Sequence, residues 1–145
     1  MTQNLILVNN ENDRNAAIEL LSQNALPVID LDESKKLFVL KKDDSIIGTG
    51  GLEFFDECAL LRSVSVKKEE RGKNWGRYIS RQLEDVAKDK GVNCIYLLTT
   101  TAKDFFSKEG YIPVERHEVP KQIQNSSEFA SVCPSTAVVM KKSLA

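Results

Sequence analysis

The chain has 145 residues, 41% hydrophobic and 28% charged, the balance of an ordinary globular protein, which excludes collagen-like, coiled-coil and wholly disordered readings. Twenty lysines and arginines face twenty-one aspartates and glutamates for a net charge of −1. Nothing therefore pulls the whole molecule toward nucleic acid or an anionic membrane, and any anion site must be local.

In chain order the elements alternate, which predicts one mixed α/β domain over residues 1–145. Leu5–Val8 reads as a first strand. Asn12 or Asp13 can cap a helix from Arg14 to Asn24 with Ala17, Ile18, Leu20 and Leu21 as its apolar stripe, stopped by Pro27. Leu37–Leu40 reads as a strand, Lys41–Ser45 as a polar turn, Ile46–Phe55 as the next strand and Asp56–Glu57 as a tight turn. Ala59–Val66 is rich in branched residues and reads as a central strand. From Trp75, apolar residues fall at Tyr78, Ile79, Leu83, Val86 and Ala87, a helical spacing, and Gly91 lies where a left-handed residue ends the helix. Cys94–Leu98 is a continuous apolar run, the mark of a strand buried on both faces and paired in parallel. Thr100 or Thr101 can cap a short helix through Phe105 and Phe106, ending at Gly110. Tyr111–Val114 and Ala137–Lys142 read as two last strands, with short helices at Val119–Gln124 and Ser127–Val132 between them.

No apolar run approaches the roughly 18–20 residues that span a bilayer. Met-Thr-Gln-Asn opens the chain without a basic stretch followed by an apolar one, which predicts no secretory leader. Cys58, Cys94 and Cys133 are widely spaced and odd in number, which predicts neither a disulfide framework nor a metal pair, and a reducing cytoplasm as the location.

The segment Leu61–Arg77 carries the chemistry. A buried strand ends near Val66, a basic loop with Gly72 follows, and a long helix starts at once. The start of such a helix has unpaired backbone N–H groups and about half a positive charge. Gly72 and Gly76 remove side-chain bulk there, and Arg71, Lys73 and Arg77 add charge, so the segment reads as a diphosphate cradle. The plainer alternative is a solvated basic turn. Neither GxxxxGK[ST] nor GxGxxG is present.

Arg71-Gly72-Lys73-Asn74-Trp75-Gly76 resembles the acyl-CoA-binding motif of the GCN5-related N-acetyltransferases (GNAT), [Q/R]-x-x-G-x-[G/A], with Asn74 where that family usually has glycine. Asparagine is the next best residue for a left-handed backbone. Ala102-Lys103-Asp104-Phe105-Phe106, continuing to Gly110-Tyr111, is similar to the family's A-x-x-[LF]-Y-x-x-x-G-[FY]. Leu61–Val66, Tyr96–Ala102, Cys133–Met140, Ala25-Leu26-Pro27 and Gly51-Leu52-Glu53 resemble the arsenic-resistance branch, whose members acetylate the α-amine of amino-acid analogues such as arsinothricin and phosphinothricin.

The resemblance implies a GNAT-like fold: a mixed, mostly antiparallel sheet with a splayed β4/β5 pair and helices on both faces. It implies acetyl-CoA as co-substrate, no metal, a small-molecule amine as acceptor, no nucleic-acid or membrane partner, and compatibility with a homodimer. Val64, Ser65 and Val66 would pair with the pantetheine arm and present the oxyanion donors. Arg71, Gly72, Lys73, Asn74, Trp75, Gly76 and Arg77 would surround the diphosphate, with Thr99 and Phe106 beside the coenzyme. Glu53, the carboxylate in an otherwise apolar strand, is the candidate base, with an outward-facing strand residue as the alternative. Arg62 is the candidate for the substrate carboxylate, with an ion pair to Glu53 or Glu57 as the alternative. Phe106 stands at the family's tyrosine position and has no proton to give, leaving Tyr78 and Tyr111 as substitutes or as packing residues. Trp75 also reads as packing, His117 as an exposed histidine, and Cys133 as a pocket-lining or buried residue. Two other functions stay open: a protein or peptide N-acetyltransferase, and a coenzyme A-binding sensor without catalysis.

Overall fold

The side-chain alternation along the central strands decides which helix covers which face. In the computed structural model, which describes residues 5–26, 28, 35–126, 129 and 137–144, the elements run β1 (Leu5–Leu7), α1 (Glu11–Gln23), β2 (Lys35–Lys42), β3 (Ser45–Phe55), β4 (Cys58–Val66), α2 (Trp75–Asp89), β5 (Cys94–Thr99), α3 (Lys103–Lys108), β6 (Ile112–Pro113), α4 (Lys121–Gln124) and β7 (Val138–Ser143). Phe38, Leu40, Leu52, Ala59, Leu61, Ile95 and Leu97 meet Ile79, Leu83 and Ala87 of α2 and Phe106 of α3. The alternate residues Leu37 and Val39 meet Ala17 and Leu21 of α1, while Leu60, Tyr96 and Val139 meet Val119, Ile123 and Phe129. Helices therefore cover both faces, and no helix among the described residues is long and apolar enough to cross a membrane.

The described strands form one sheet in the order β1-β2-β3-β4-β5-β7-β6. Only β4 and β5 run parallel; the other neighbours are antiparallel. This is the expected mixed α/β architecture. The β4/β5 register covers Cys58–Leu60 against Cys94–Tyr96 and then stops. Beyond it Leu61–Val66 run on without β5, so the two strands splay.

The element ends depart from expectation in instructive ways. α1 starts at Glu11, and its cap is Asn10, whose Oδ1 accepts the Asp13 N–H at 2.8 Å. Of Asn10, Asn12 and Asp13 the first takes the extended backbone, which puts Glu11 and Asp13 in the first turn where the helix dipole favours them. Ile18 is only half-buried, and the helix ends at Gln23; Pro27 lies outside the described residues. β2 extends to Lys42 because a two-residue turn, Asp43–Asp44, with both φ positive, is enough to join it to β3. Before α3 the hydroxyl that matters is Thr99, which accepts the Ala102 N–H at 2.9 Å, not Thr100 or Thr101. β6 shrinks to Ile112–Pro113 at the sheet edge, where a residue without an N–H is tolerated. The expected helix over Ser127–Val132 lies outside the described residues except for Phe129.

α2 sits close to β3 because β3 is bare there. A Cβ on Gly50 would fall 2.5 Å from Leu83 Cδ1 and 2.8 Å from Ile79 Cγ2, so glycine at this position lets the helix descend onto the sheet. Leu83 is fully buried in that contact. The Leu83→Ala variant should lose about 2–5 kcal/mol of unfolding free energy, read as a lower urea midpoint with an unchanged slope.

Candidate functional site

At the splay, β4 is bent by a bulge. Thr49 pairs with Ser65 and Gly51 with Arg62, so β4 advances three residues while β3 advances two. Ser63 absorbs the extra residue with φ +59°, and the Thr49 hydroxyl donates to the Ser63 carbonyl at 2.7 Å, pinning it. The extra residue re-phases the strand: Val64 and Val66 pack with the α2 side, while buried Ser65 turns to α1 and is hydrogen-bonded by Asn24 Nδ2. The Lys67 N–H donates to the Ile47 carbonyl at 2.7 Å. In a trans peptide the preceding carbonyl points the opposite way, so the Val66 carbonyl faces away from β3 into the splay. There Arg71 Nε reaches it at 3.2 Å and Asn24 Nδ2 at 3.3 Å.

After β4 the chain makes a 3-10 turn at Lys68–Glu70 and then enters α2 through two left-handed residues. Gly72 has φ +82° with no heavy atom within 4 Å of an added Cβ, an open position whose backbone favours glycine. Asn74 has φ +66° and ψ +18°, the conformation expected of a glycine substitute. Its side chain does not cap α2, and the first turn contains no acidic residue. The positive end of a 15-residue helix is thereby left to solvent. A depression of about 410 Å³ beside it is lined by Asn74, Arg77, Tyr78, Arg81 and Gln82.

The three cations of the motif do not converge as their spacing suggests. Arg71, an exposed residue, turns toward the end of α1, and its Nη2 donates to Asn24 Oδ1 at 2.7 Å. Lys73 pairs with Glu70 at 3.3 Å. Arg77 pairs with Glu109 at 3.4 Å, with half its side chain exposed. Burial raises the Glu70 carboxyl, but the hydrogen bonds from Lys73 and Lys42 outweigh it and hold the group below the usual carboxylate range. Gly76 makes room for protein: a Cβ there would lie 3.4 Å from the Phe105 ring and 4.0 Å from Val66. Trp75 packs on the core, edge-on to Tyr78.

On the α1 side of the sheet, Arg62 is 3% exposed, and its Nη1 lies 3.8 Å from Glu53 Oε1. The geometry thus includes the ion pair that the sequence left open. Thr99 ends β5, with its hydroxyl on the Ala102 N–H. Phe106 is buried, edge-on to Phe105 and Tyr111. Tyr111 is 2% exposed and donates to Glu84 Oε2 at 3.1 Å. Burial, then the Glu84 charge, pushes this phenol far above its ordinary range, so Tyr111 is a structural group. His117 is exposed, as expected, and Cys133 lies outside the described residues. Among the described residues no group of three or more His, Cys, Asp or Glu is placed to hold a metal. Sequence reasoning missed Asn24, Thr49 and Glu109. Glu109 joins α2 to α3 by accepting from Arg77 and Arg81; the i, i+4 arginines on α2 are its only sequence signal.

The family model described as Acetyltransferase (GNAT) family matches residues 7–111. The chain is 30% identical over 94 residues to an uncharacterized N-acetyltransferase of Chlorobaculum tepidum, a match covering 64% of this chain and 60% of that protein. It is 29% identical over 94 residues to an amino-acid acetyltransferase of Aeromonas salmonicida, covering 63% and 21%. The matched stretch thus spans less than two thirds of either relative. In fold it is similar to the N-acetylglutamate synthase of Neisseria gonorrhoeae complexed with coenzyme A and N-acetyl-glutamate, with TM-score 0.81, 13% identity, and 100% of this chain covered against 36% of that one. It is also similar to a GNAT-family acetyltransferase from Staphylococcus aureus, with TM-score 0.76, 18% identity, and coverage of 99% and 100%.

At the far end of β4, Cys58 and Cys94, widely spaced in sequence, come together as free thiols. Cys58 and Cys94 are partners in the parallel register, and their Sγ atoms lie 2.9 Å apart. Burial first, and the Cys94 thiol second, push the Cys58 thiol up to about 12. At pH 8 Cys58 is then almost wholly protonated. Its alkylation by iodoacetamide, followed by peptide mass spectrometry, should run more than about 100-fold slower than that of free cysteine and rise about tenfold per pH unit up to pH 11.

Proposed function

The chain belongs to the acetyltransferase (GNAT) family, and from that premise we propose that it moves an acetyl group from acetyl-CoA to the amine of a small molecule in a reducing cytoplasm. The acceptor in this reading is an amino acid or a toxic amino-acid analogue. The observation that carries the donor half is the start of α2: left-handed Gly72 and Asn74, no cap, no acid, beside the open edge of β4. Those groups fit a diphosphate, which accepts hydrogen bonds from backbone N–H groups and carries the charge a helix start favours. Acetyl-CoA supplies the thioester carbonyl that the amine attacks.

The roles of the chain's own groups follow. The N–H groups opening α2 bind the diphosphate, and half-exposed Lys73 and Arg77 add charge around it. The Val66 carbonyl is occupied by Arg71 and Asn24, so the pantetheine pairs with the remaining backbone groups of Val64–Val66. N–H groups of the same stretch stabilise the oxyanion, in positions set by the Ser63 bulge. Glu53 takes the amine proton, directly or through water. Arg62 holds the acceptor's acid group, with Glu53 orienting the guanidinium. The thiolate leaves without a tyrosine acid, since Phe106 is an apolar core residue.

The acceptor class is supported by the likeness to an amino-acid acetyltransferase, by the fold shared with a synthase complexed with N-acetyl-glutamate, and by the resemblance to the arsenic-resistance branch. Phe106 favours a second reading, a sensor that binds coenzyme A without turnover.

Two measurements test the proposal. Thiol release from acetyl-CoA should occur with free amino acids, and Arg62→Lys should raise KM for acidic acceptors about tenfold. Turnover with peptides alone would shift the acceptor class, and tight coenzyme A binding without turnover would favour the sensor. Asn74→Asp brings a negative charge to the helix start, so the calorimetric Kd for coenzyme A should rise at least about tenfold.

A further inference from the structure

We propose that Asn24 and Arg71 form a clamp that sets the loop before α2 against the open edge of β4, which makes both of them positioning residues for the donor site; this rests on the donor reading above. The motif's spacing makes Arg71 a phosphate ligand, but its guanidinium is turned the other way. Nε donates to the Val66 carbonyl at 3.2 Å and Nη2 to Asn24 Oδ1 at 2.7 Å. Asn24 completes the circuit, donating from Nδ2 to the Val66 carbonyl at 3.3 Å and to Ser65 Oγ.

The chemistry of the partners fixes the amide's orientation. A guanidinium only donates and a carbonyl only accepts, so Oδ1 must face Arg71 and Nδ2 must face Val66. Two donors thus satisfy a carbonyl that has no strand partner on that side. They tie three separate pieces together: the C-terminal cap of α1, the last residue of β4 and the loop leading to Gly72. The Arg71 N–H is also engaged, on the Lys68 carbonyl at 3.3 Å. What Arg71 contributes to the donor site is therefore the placement of Gly72–Asn74 and the direction of the α2 start. Asn24, which carries no charge and is 47 residues away in sequence, matters as much.

Coenzyme A binding by calorimetry and amide hydrogen exchange of residues 68–74 in the free protein test the clamp. Asn24→Ala and Arg71→Ala should each weaken coenzyme A about tenfold, and the double variant should be no weaker than the worse single one, because the two act as one unit. Arg71→Lys should fail to restore binding, since an ammonium keeps the charge but cannot span both acceptors. Exchange at 68–74 should quicken about tenfold or more in each single variant. Restoration by lysine to within about twofold, or multiplying losses in the double variant, would make Arg71 a phosphate ligand and overturn the proposal. Unchanged exchange would do the same. If Asn24→Ala does not fold, Asn24→Asp keeps an acceptor for Arg71 but loses the donor, and exchange no faster than in the parent overturns the clamp. A parent protein that binds no coenzyme A overturns the donor reading and this assignment with it, whereas a parent that binds while the variants match it overturns the clamp alone.

Discussion

One constraint organises the molecule: β4 pairs with β5 for three residues and then leaves it. A central strand with an unpaired edge has backbone groups that must find other partners. The chain answers with side chains at the Val66 carbonyl and with a bulge that sends Ser65 toward α1 and Val64 and Val66 toward α2. The edge that would be a defect in an ordinary sheet becomes a slot beside a helix start. On the proposed reading a coenzyme arm fills that slot as an extra strand would.

Keeping such a slot open requires that its walls not collapse. α2 is held down by Ile79 and Leu83 over the bare backbone of β3. Its outer flank is tied to α3 and β7 through carboxylates: Glu109 accepts from Arg77 and Arg81, while Glu84 accepts from Tyr111 and, at 2.8 Å, from Lys142. Lys142 also donates to the Glu109 carbonyl at 2.8 Å. Removing one partner from such a network leaves a buried charge uncompensated, so the network fixes one geometry better than apolar contacts alone.

The strands β3 and β4 were legible in the sequence to within a residue, and two further hydrophobic patterns were as clear. The stripe Ile79, Leu83, Ala87 and the run Cys94–Leu98 gave α2 and a parallel β5, because a buried face needs those spacings whatever packs on it. The conformation of the loop before α2 was legible for a different reason: left-handed turns at a helix start restrict the residues that can occupy them, and Gly72 with Asn74 met that restriction. Side-chain direction was not legible. Arg71 looks the same in sequence whether it faces a phosphate or Val66, and only the position of Asn24 decides between them. That Cys58 and Cys94 are neighbours was not legible either, because register, not separation along the chain, makes parallel neighbours. Helix caps slipped where several capping residues adjoin, as at Asn9–Asp13, since local chemistry there is nearly degenerate.

Arg62 and Glu53 raise the sharpest question about the acceptor half. An ion pair buried on central strands is seldom a net gain in stability compared with apolar packing, so stability alone is a poor reason for the pair of Arg62 and Glu53 to sit there. At 3.8 Å it is also a loose contact, well beyond the 2.7–2.9 Å of a tight charge-assisted hydrogen bond. A desolvated guanidinium has little water to shed when an anion arrives, and the attraction is strong in a low-dielectric setting. On the proposed reading, the acceptor's acid group meets Arg62 on the α1 side of β4. Glu53 then holds the guanidinium when the site is empty and lies beside the acceptor when it is full. A single carboxylate can serve both states because the two demands fall at different stages of the cycle.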